Sequence, residues 1–260
     1  MKRIFINGGH GGADPGASGN GLVEKDITNF LMVQTKNEIL QRTSDVEVKT
    51  YQSLEVWSLA KRKIVYEANL FNPDLFVSIH INSGGGTGYE DYVDLDAGAA
   101  TIEMRKLFHA EVMAWYLSQG VKMHDGGRAG GEMKAADLYV LGGTEAPAIL
   151  TENLFIDNPS DAALLKNEAF LNGIAAAHAR GCLAALGIQP KILPMVNQVE
   201  VKGLPVDVPP DHWAAAAVKW AVETGYMKGY EDGTFRGDQG LTRYEEAAVL
   251  HWIYGPGRVS

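Results

Sequence analysis

Leu75-Phe76-Val77-Ser78-Ile79-His80-Ile81-Asn82-Ser83-Gly84-Gly85-Gly86 is a short apolar run that reaches an imidazole and then breaks into glycine. Its length, its β-branched and aromatic content and the closing glycines fit a strand buried on both faces better than a helix. Two more runs share this design. Ile4-Phe5-Ile6 leads into Gly8-Gly9-His10-Gly11-Gly12-Ala13-Asp14-Pro15-Gly16, and Ala148-Ile149-Leu150-Thr151 ends on Glu152. Three strand-like runs thus finish on side chains able to bind metal or move a proton. In an open parallel sheet the strand carboxyl ends share one edge, and ligands bind there.

Outward from these runs, further strands are expected at Val46 to Tyr51, Tyr89 to Asp94 and Leu138 to Leu141. Helix-like periodicity fills Asp26 to Gln41, Leu54 to Leu70, Ala99 to Gln119 and Ser160 to Leu186, the last opened by the capping signal Asn158-Pro159-Ser160-Asp161. This alternation predicts an α/β fold, a mostly parallel twisted sheet of about six strands with helices on both faces. Beyond Gly187 the texture changes. Residues 188–210 carry Pro190, Pro194, Pro205, Pro209 and Pro210 and read as a partly extended linker. Residues 211–260 then hold helix-like runs at Trp213 to Thr224 and Thr242 to Tyr254 around a glycine-rich turn. The expected organisation is a domain at 1–187, the linker, and a small helical unit at 211–260.

A net charge of −9 divides into 16 basic and 23 acidic side chains in residues 1–187 and 7 and 9 in residues 188–260. Neither part presents the basic surplus a phosphate backbone requires, so nucleic acid is not an expected partner. No run reaches the roughly 18 apolar residues of a membrane span. Met1-Lys2-Arg3 passes directly into Ile4-Phe5-Ile6, too short for a signal-peptide core, so synthesis in the cytoplasm without a signal peptide is expected. The single cysteine, Cys182, lies in an alanine-rich helical stretch and reads as a small buried apolar residue.

His10 sits at the centre of a glycine loop that lets backbone approach a ligand closely. A phosphate cradle is the competing reading, but the G-K-[ST] ending of a P-loop is missing and the G-x-G-x-x-G register is not met. Glu24, at the entrance to the first helix, would ordinarily serve the helix dipole; beside His10 and His80 it becomes a ligand candidate. Two imidazoles and a carboxylate suit catalytic zinc, with the fourth position left for water. Glu152 stands in an apolar context, where a carboxylate must be paired or raised in pKa, and either outcome suits a general base. His109, His178 and His251 read as surface or packing residues, Arg62 as structural, and His124 as part of a rim loop. On spacing alone this is a zinc hydrolase.

The motifs G-H-G-G-A-D-P-G-A, Glu24, S-I-H-I-N-S and P-A-I-L-T-E-N-L-F-I-D-N, in this order between Ile4 and Leu186, resemble the zinc-dependent N-acetylmuramoyl-L-alanine amidases of the type-3 family. The resemblance implies one zinc ion (Zn2+) on His10, Glu24 and His80, with Glu152 as catalytic acid/base. It also implies peptidoglycan as substrate, cleaved between muramic acid and the stem peptide. The family often follows the catalytic glutamate with a small residue and Gly-Phe; here Asn153-Leu154-Phe155 stands instead. Asn82, Asn153 and His124 are candidate substrate contacts. The pieces D-V-P-P-D-H-W-A, G-Y-E-D-G-T-F-R and L-T-R-Y-E between Asp207 and Glu245 resemble a single S-layer homology motif, which implies a secondary cell-wall polymer as partner. Arg236 and Arg243 are the candidate contacts to that polymer. The expected role is a cell-wall hydrolase, a phage endolysin, with a bacterial autolysin or sporulation amidase, or a zinc peptidase of the stem peptide, as alternatives.

Overall fold

Strands that are apolar on both faces must be covered on both, and the chain does this with two unequal helical layers. The computed structural model describes residues 1–55, 57–123 and 133–189, together with 205–208, 218, 222, 230 and 232–236. Two compact units divide the chain, Met1–Leu193 and Pro194–Ser260.

In the first unit the strands are β1 (Lys2–Gly8), β2 (Ser18–Gly19), β3 (Leu22–Val23), β4 (Val46–Tyr51), β5 (Leu75–Asn82), β6 (Tyr89–Val93), β7 (Met133–Ala135) and β8 (Ala148–Phe155). The helices are α1 (Glu24–Arg42), α2 (Trp57–Phe71), α3 (Ala99–Ser118), α4 (Tyr139–Gly142), α5 (Pro159–Leu165) and α6 (Glu168–Ala185). Six strands form one sheet in the order β4-β1-β5-β8-β6-β7, and β2 and β3 pair separately. Every pairing in the large sheet is parallel except β6 with β8. The expected mostly parallel α/β sheet is therefore present. From β1 the chain builds first toward β4 and then crosses to β5, so the strand order reverses at the β1–β5 junction. That is where a doubly wound sheet opens a crevice at its carboxyl edge.

Alternation within the strands decides which side chain meets which layer. Ile4, Ile6, Leu75, Val77, Ile79 and Ile149 point into the larger core with Leu31 of α1, Phe108 and Val112 of α3 and Ile174 of α6. Phe5, Phe76, Ala148 and Leu150 point the other way, to Ile64 and Ala68 of α2 and Leu141 of α4. His80 and Glu152 continue the Phe76 and Leu150 series and stand on this second face at the carboxyl edge.

Two details differ from expectation. Leu138 to Leu141 is not a strand: the Leu141 and Gly142 N–H groups donate to Leu138 O at 2.8 and 3.1 Å, closing the turn of α4. The sixth strand is instead β7, only three residues long with a lysine at its centre, too short for a period-2 signal. The long carboxyl helix is also two helices. Asn158 caps α5, accepting from Ser160 N, and Asn167 caps α6, accepting from Phe170 N. Each asparagine offers the backbone a local partner that ends one helix or starts the next.

Candidate metal centre

After β1 the Gly9 N–H donates to Ile79 O at 2.8 Å, which carries the chain one residue past the strand before it turns. His10 then takes φ +61°, a left-handed backbone uncommon for any residue but glycine. Paired hydrogen bonds between Gly11 and Asp14, at 2.9 and 3.0 Å, close the loop. Two glycines leave room for the side chains that gather here. A Cβ on Gly9 would stand 2.3 Å from His80 Cε1, and one on Gly16 would stand 2.6 Å from both Glu24 Oε2 and His10 Cδ2.

Glu24 is the first residue of α1 and only 3% exposed, so it is not a solvated helix-start glutamate. Its Oε1 accepts from Ile81 N at 3.0 Å and lies 3.0 Å from His80 Nδ1. Its Oε2 accepts from Ala17 N at 2.8 Å and lies 3.2 Å from His10 Nε2. One carboxylate thus faces two imidazoles, whose rings are 5.1 Å apart at 83° to each other. Ligand atoms of His10, Glu24 and His80 all lie within 4.8 Å of one another. Asp14 accepts from His10 Nδ1 at 2.8 Å. That bond fixes the ring's orientation and turns Nε2 toward Glu24, as an outer carboxylate does behind a metal-bound histidine.

The electrostatics of the triad favour a cation at its centre. Burial alone would raise the Glu24 carboxyl, but the hydrogen bonds from His10 and His80 outweigh it and hold the group well below the usual carboxylate range. Burial alone would lower His10, yet Glu24 and then Asp14 push it up to about 9. The donor types, their convergence and the bond behind His10 fit a metal ion with one carboxylate and two imidazole ligands.

Glu152 lies one strand away. Its Cα is paired with that of His80 in the β5–β8 register, and it shares a cleft of about 340 Å³ with His10, His80 and Asp14. On its other side Glu90 is its register partner in β6. Glu90 is buried and compensated: Oε1 accepts from Lys134 Nζ at 2.8 Å, and Oε2 accepts from Asn82 Nδ2 and the Tyr92 hydroxyl at 3.0 and 2.9 Å.

The expected substrate contacts fare differently from the triad. Asn153 does not face the cleft: it is fully buried, its Nδ2 donating to His80 O and Thr151 Oγ1 and its Oδ1 accepting from the Tyr116 hydroxyl. As the neighbour of Glu152 on a pleated strand it points to the opposite face, with Thr151, toward the larger core. Asn82 is 8% exposed and committed to Glu90 and Ser83 N, so it braces the strand end instead of lining the cleft. His124 and Arg243 lie outside the described residues. Arg236, in the second unit, places its guanidinium 3.9 Å over the Tyr230 ring and pairs with Asp232 at 2.7 Å. Asp14, Glu90 and Lys134 were not singled out from the sequence. The spacing of Asp14 four residues after His10 was a usable sign; the Glu90–Lys134 pair depends on β7, which the pattern missed.

Residues 4–184 match the family model described as N-acetylmuramoyl-L-alanine amidase. The chain belongs to that family. Among its relatives, the N-acetylmuramoyl-L-alanine amidase CwlM of Bacillus licheniformis is 41% identical over 189 residues, 72% of this chain and 70% of the relative. The endolysin of Bacillus phage SPP1 is 41% identical over 194 residues, 73% of this chain and 68% of the relative. The catalytic domain of CwlV, an amidase from Paenibacillus polymyxa, superposes with a TM-score of 0.62 at 25% identity, covering 73% of this chain and all of that domain. Residues 206–247 match the S-layer homology domain. The protein is thus an N-acetylmuramoyl-L-alanine amidase with a carboxyl-terminal S-layer homology segment. Among the described residues no helix is long and apolar enough to cross a membrane.

Proposed function

We propose that the amidase binds one zinc ion on His10, Glu24 and His80 and uses Glu152 as the acid/base of peptidoglycan hydrolysis. The observation that carries this reading is the convergence of three donor atoms within 4.8 Å, two of whose residues, His10 and His80, line the cleft that Glu152 also lines. A zinc ion held there supplies Lewis-acid polarisation of the amide carbonyl and a water of pKa about 7. The chain's own groups do the rest. Ile81 N and Ala17 N each donate to one Glu24 oxygen, so both oxygens stay aimed at the imidazoles. Asp14 holds the His10 Nδ1–H and leaves Nε2 as the donor atom. Glu152 takes the proton of the water that adds to the lactyl carbonyl carbon. As the carbon–nitrogen bond breaks, it returns that proton to the departing amine of L-alanine.

Replacing Glu152 with Gln tests the assignment. Zinc content should stay at the wild-type level while release of the L-alanine amine from purified peptidoglycan falls by about 10²- to 10⁴-fold. Near wild-type turnover would remove Glu152 from this role. Mass analysis of the same digest separates the amidase from a peptidase of the stem, since only the amidase leaves whole stems free of an intact glycan.

We further propose that the S-layer homology segment holds the enzyme at the wall through a secondary cell-wall polymer, with Arg236 and Arg243 as contacts. Arg236 supports this, because its stacking on Tyr230 presets the guanidinium for an anionic partner. The chemistry serves a phage endolysin and a bacterial autolysin alike, and the place of action in both is the cell wall.

A further inference from the structure

The cleft is lined not only by residues of the triad but also by α2 and the turn that leads into α4. Lys61 of α2 and Tyr139 of α4 both line it, facing the same space as His10, His80 and Glu152. Lys61 Nζ stands 5.1 Å from the centroid of the Tyr139 ring, a cation–π contact that orients the long side chain along the wall. The other formal charges on the described lining are acidic: Asp14, Asp137 and Glu152. Asp14 is bonded to His10, and Glu152 is assigned to proton transfer. A substrate entering here with a negative charge meets Lys61 as the cation of the described lining, apart from the imidazoles.

Such a substrate follows from the amidase reading, on which this inference rests. In the peptidoglycan stem the residue after L-alanine is a glutamate joined onward through its side-chain carboxyl. Its α-carboxyl group is therefore left over, and occurs either as a free carboxylate or as the carboxamide. We propose that Lys61 is a specificity-determining residue that receives this carboxylate, so that the enzyme prefers stems with the free acid over amidated stems. An ammonium to carboxylate hydrogen bond in a partly desolvated cleft is roughly twice as strong as one to a neutral amide. A site that presents a fixed charge therefore discriminates against the analogue that lacks the partner.

The experiment uses the full-length zinc-loaded protein and two soluble fragments, N-acetylmuramoyl-L-alanyl-D-glutamate and N-acetylmuramoyl-L-alanyl-D-isoglutamine. Wild type should show a kcat/KM about tenfold higher on the acid than on the amide. In Lys61→Met the ratio should fall to about one, and Lys61→Arg, which keeps the charge, should restore most of the preference. Binding gives a readout without turnover. On a Glu152→Gln background, calorimetry should show the acid fragment binding about tenfold more weakly once Lys61→Met is added. Equal kcat/KM of wild type on both fragments would overturn the proposal, as would a Lys61→Met protein that keeps the preference. Failure of wild type to cleave either fragment is a different result: it would overturn the amidase reading of the cleft, and the inference with it.

Discussion

At the scale of single residues, the proposed zinc site depends on two small features around the histidines, one that orients and one that makes room. Asp14 bonds His10 Nδ1 at 2.8 Å, so truncating it to Ala frees the ring to rotate and weakens its basicity. Zinc affinity should fall about 10- to 100-fold in Asp14→Ala, measured by chelator competition at constant pH. Protons compete for the same donor atom. With His10 pushed up to about 9, metal uptake at neutral pH must displace a proton, so apparent zinc affinity should rise with pH until about 9. In Asp14→Ala that rise should end at lower pH. Gly9 is the residue that makes room. A Cβ there would meet the His80 ring between 2.3 and 2.6 Å, and an imidazole cannot fold away from it. Gly9→Ala should therefore lose zinc while keeping its far-ultraviolet circular dichroism. His10, Glu24 and His80 were legible in the sequence because each ends or follows an apolar run near glycine. The partner of His10 was not, because the bond from Asp14 exists only once the Gly11–Asp14 turn has closed.

At the scale of elements, β8 shows why the strand was legible and its last side chains were not. The register with β5 runs in step to His80 opposite Glu152, and then Asn82 meets Phe155, so β8 carries an extra residue. Leu154 absorbs it at φ +66°, and this is the position where the resemblance leads one to expect glycine. Period-2 alternation puts Asn153 on the face of Thr151, away from Glu152, and there it bonds Thr151 and Tyr116; the bulge re-aims Leu154, which would otherwise follow Glu152 onto the other face. Leu154 is also fully buried in the larger core. Leu154→Gly should relieve about 1 kcal/mol of backbone strain and lose about 3 kcal/mol of side-chain burial. A net destabilisation of about 2 kcal/mol is expected, read from the denaturant midpoint. Behind the same strand, α6 buries His178, whose Nδ1–H donates to Ile174 O at 2.9 Å while Nε2 accepts from the Thr151 hydroxyl at 3.1 Å. Burial holds this imidazole down at about 4, against 6.5 for a free one. The unfolded chain therefore takes up a proton first as pH falls. The stability contribution of neutral His178 is complete above pH 6.5 and is lost progressively toward about pH 4, by about 3 kcal/mol in all. Urea unfolding at stepped pH should show that slope, and His178→Leu should flatten it even though the variant is less stable throughout.

At the scale of the whole molecule, the chain divides into Met1–Leu193 and Pro194–Ser260, a division that falls within the proline-rich stretch of residues 188–210. The chemistry lies in the first. His10, Glu24, His80 and Glu152 all belong to it, held by a core drawn from its own strands and helices. The second unit has a much smaller described core, Val208 and Val218 with Val222 and Phe235 packed against them. Their contributions should therefore separate by substrate. A protein ending at Leu193 should cleave a soluble muropeptide with kcat/KM within about twofold of the full chain, because no group of the triad is lost. Intact walls are a different case. The chain carries a net charge of −9, most of it in the catalytic part, and an anionic wall repels it at low salt. A unit that grips a wall polymer converts each later encounter into an intramolecular one and raises the local substrate concentration. On walls that carry their secondary polymer the truncated protein should clear turbidity at least about tenfold more slowly and stay in the supernatant on sedimentation. On walls stripped of that polymer the two proteins should clear at the same rate. If truncated and full-length proteins sediment equally with untreated walls, the carboxyl-terminal unit does not tether the enzyme, and wall affinity must be assigned to the catalytic cleft.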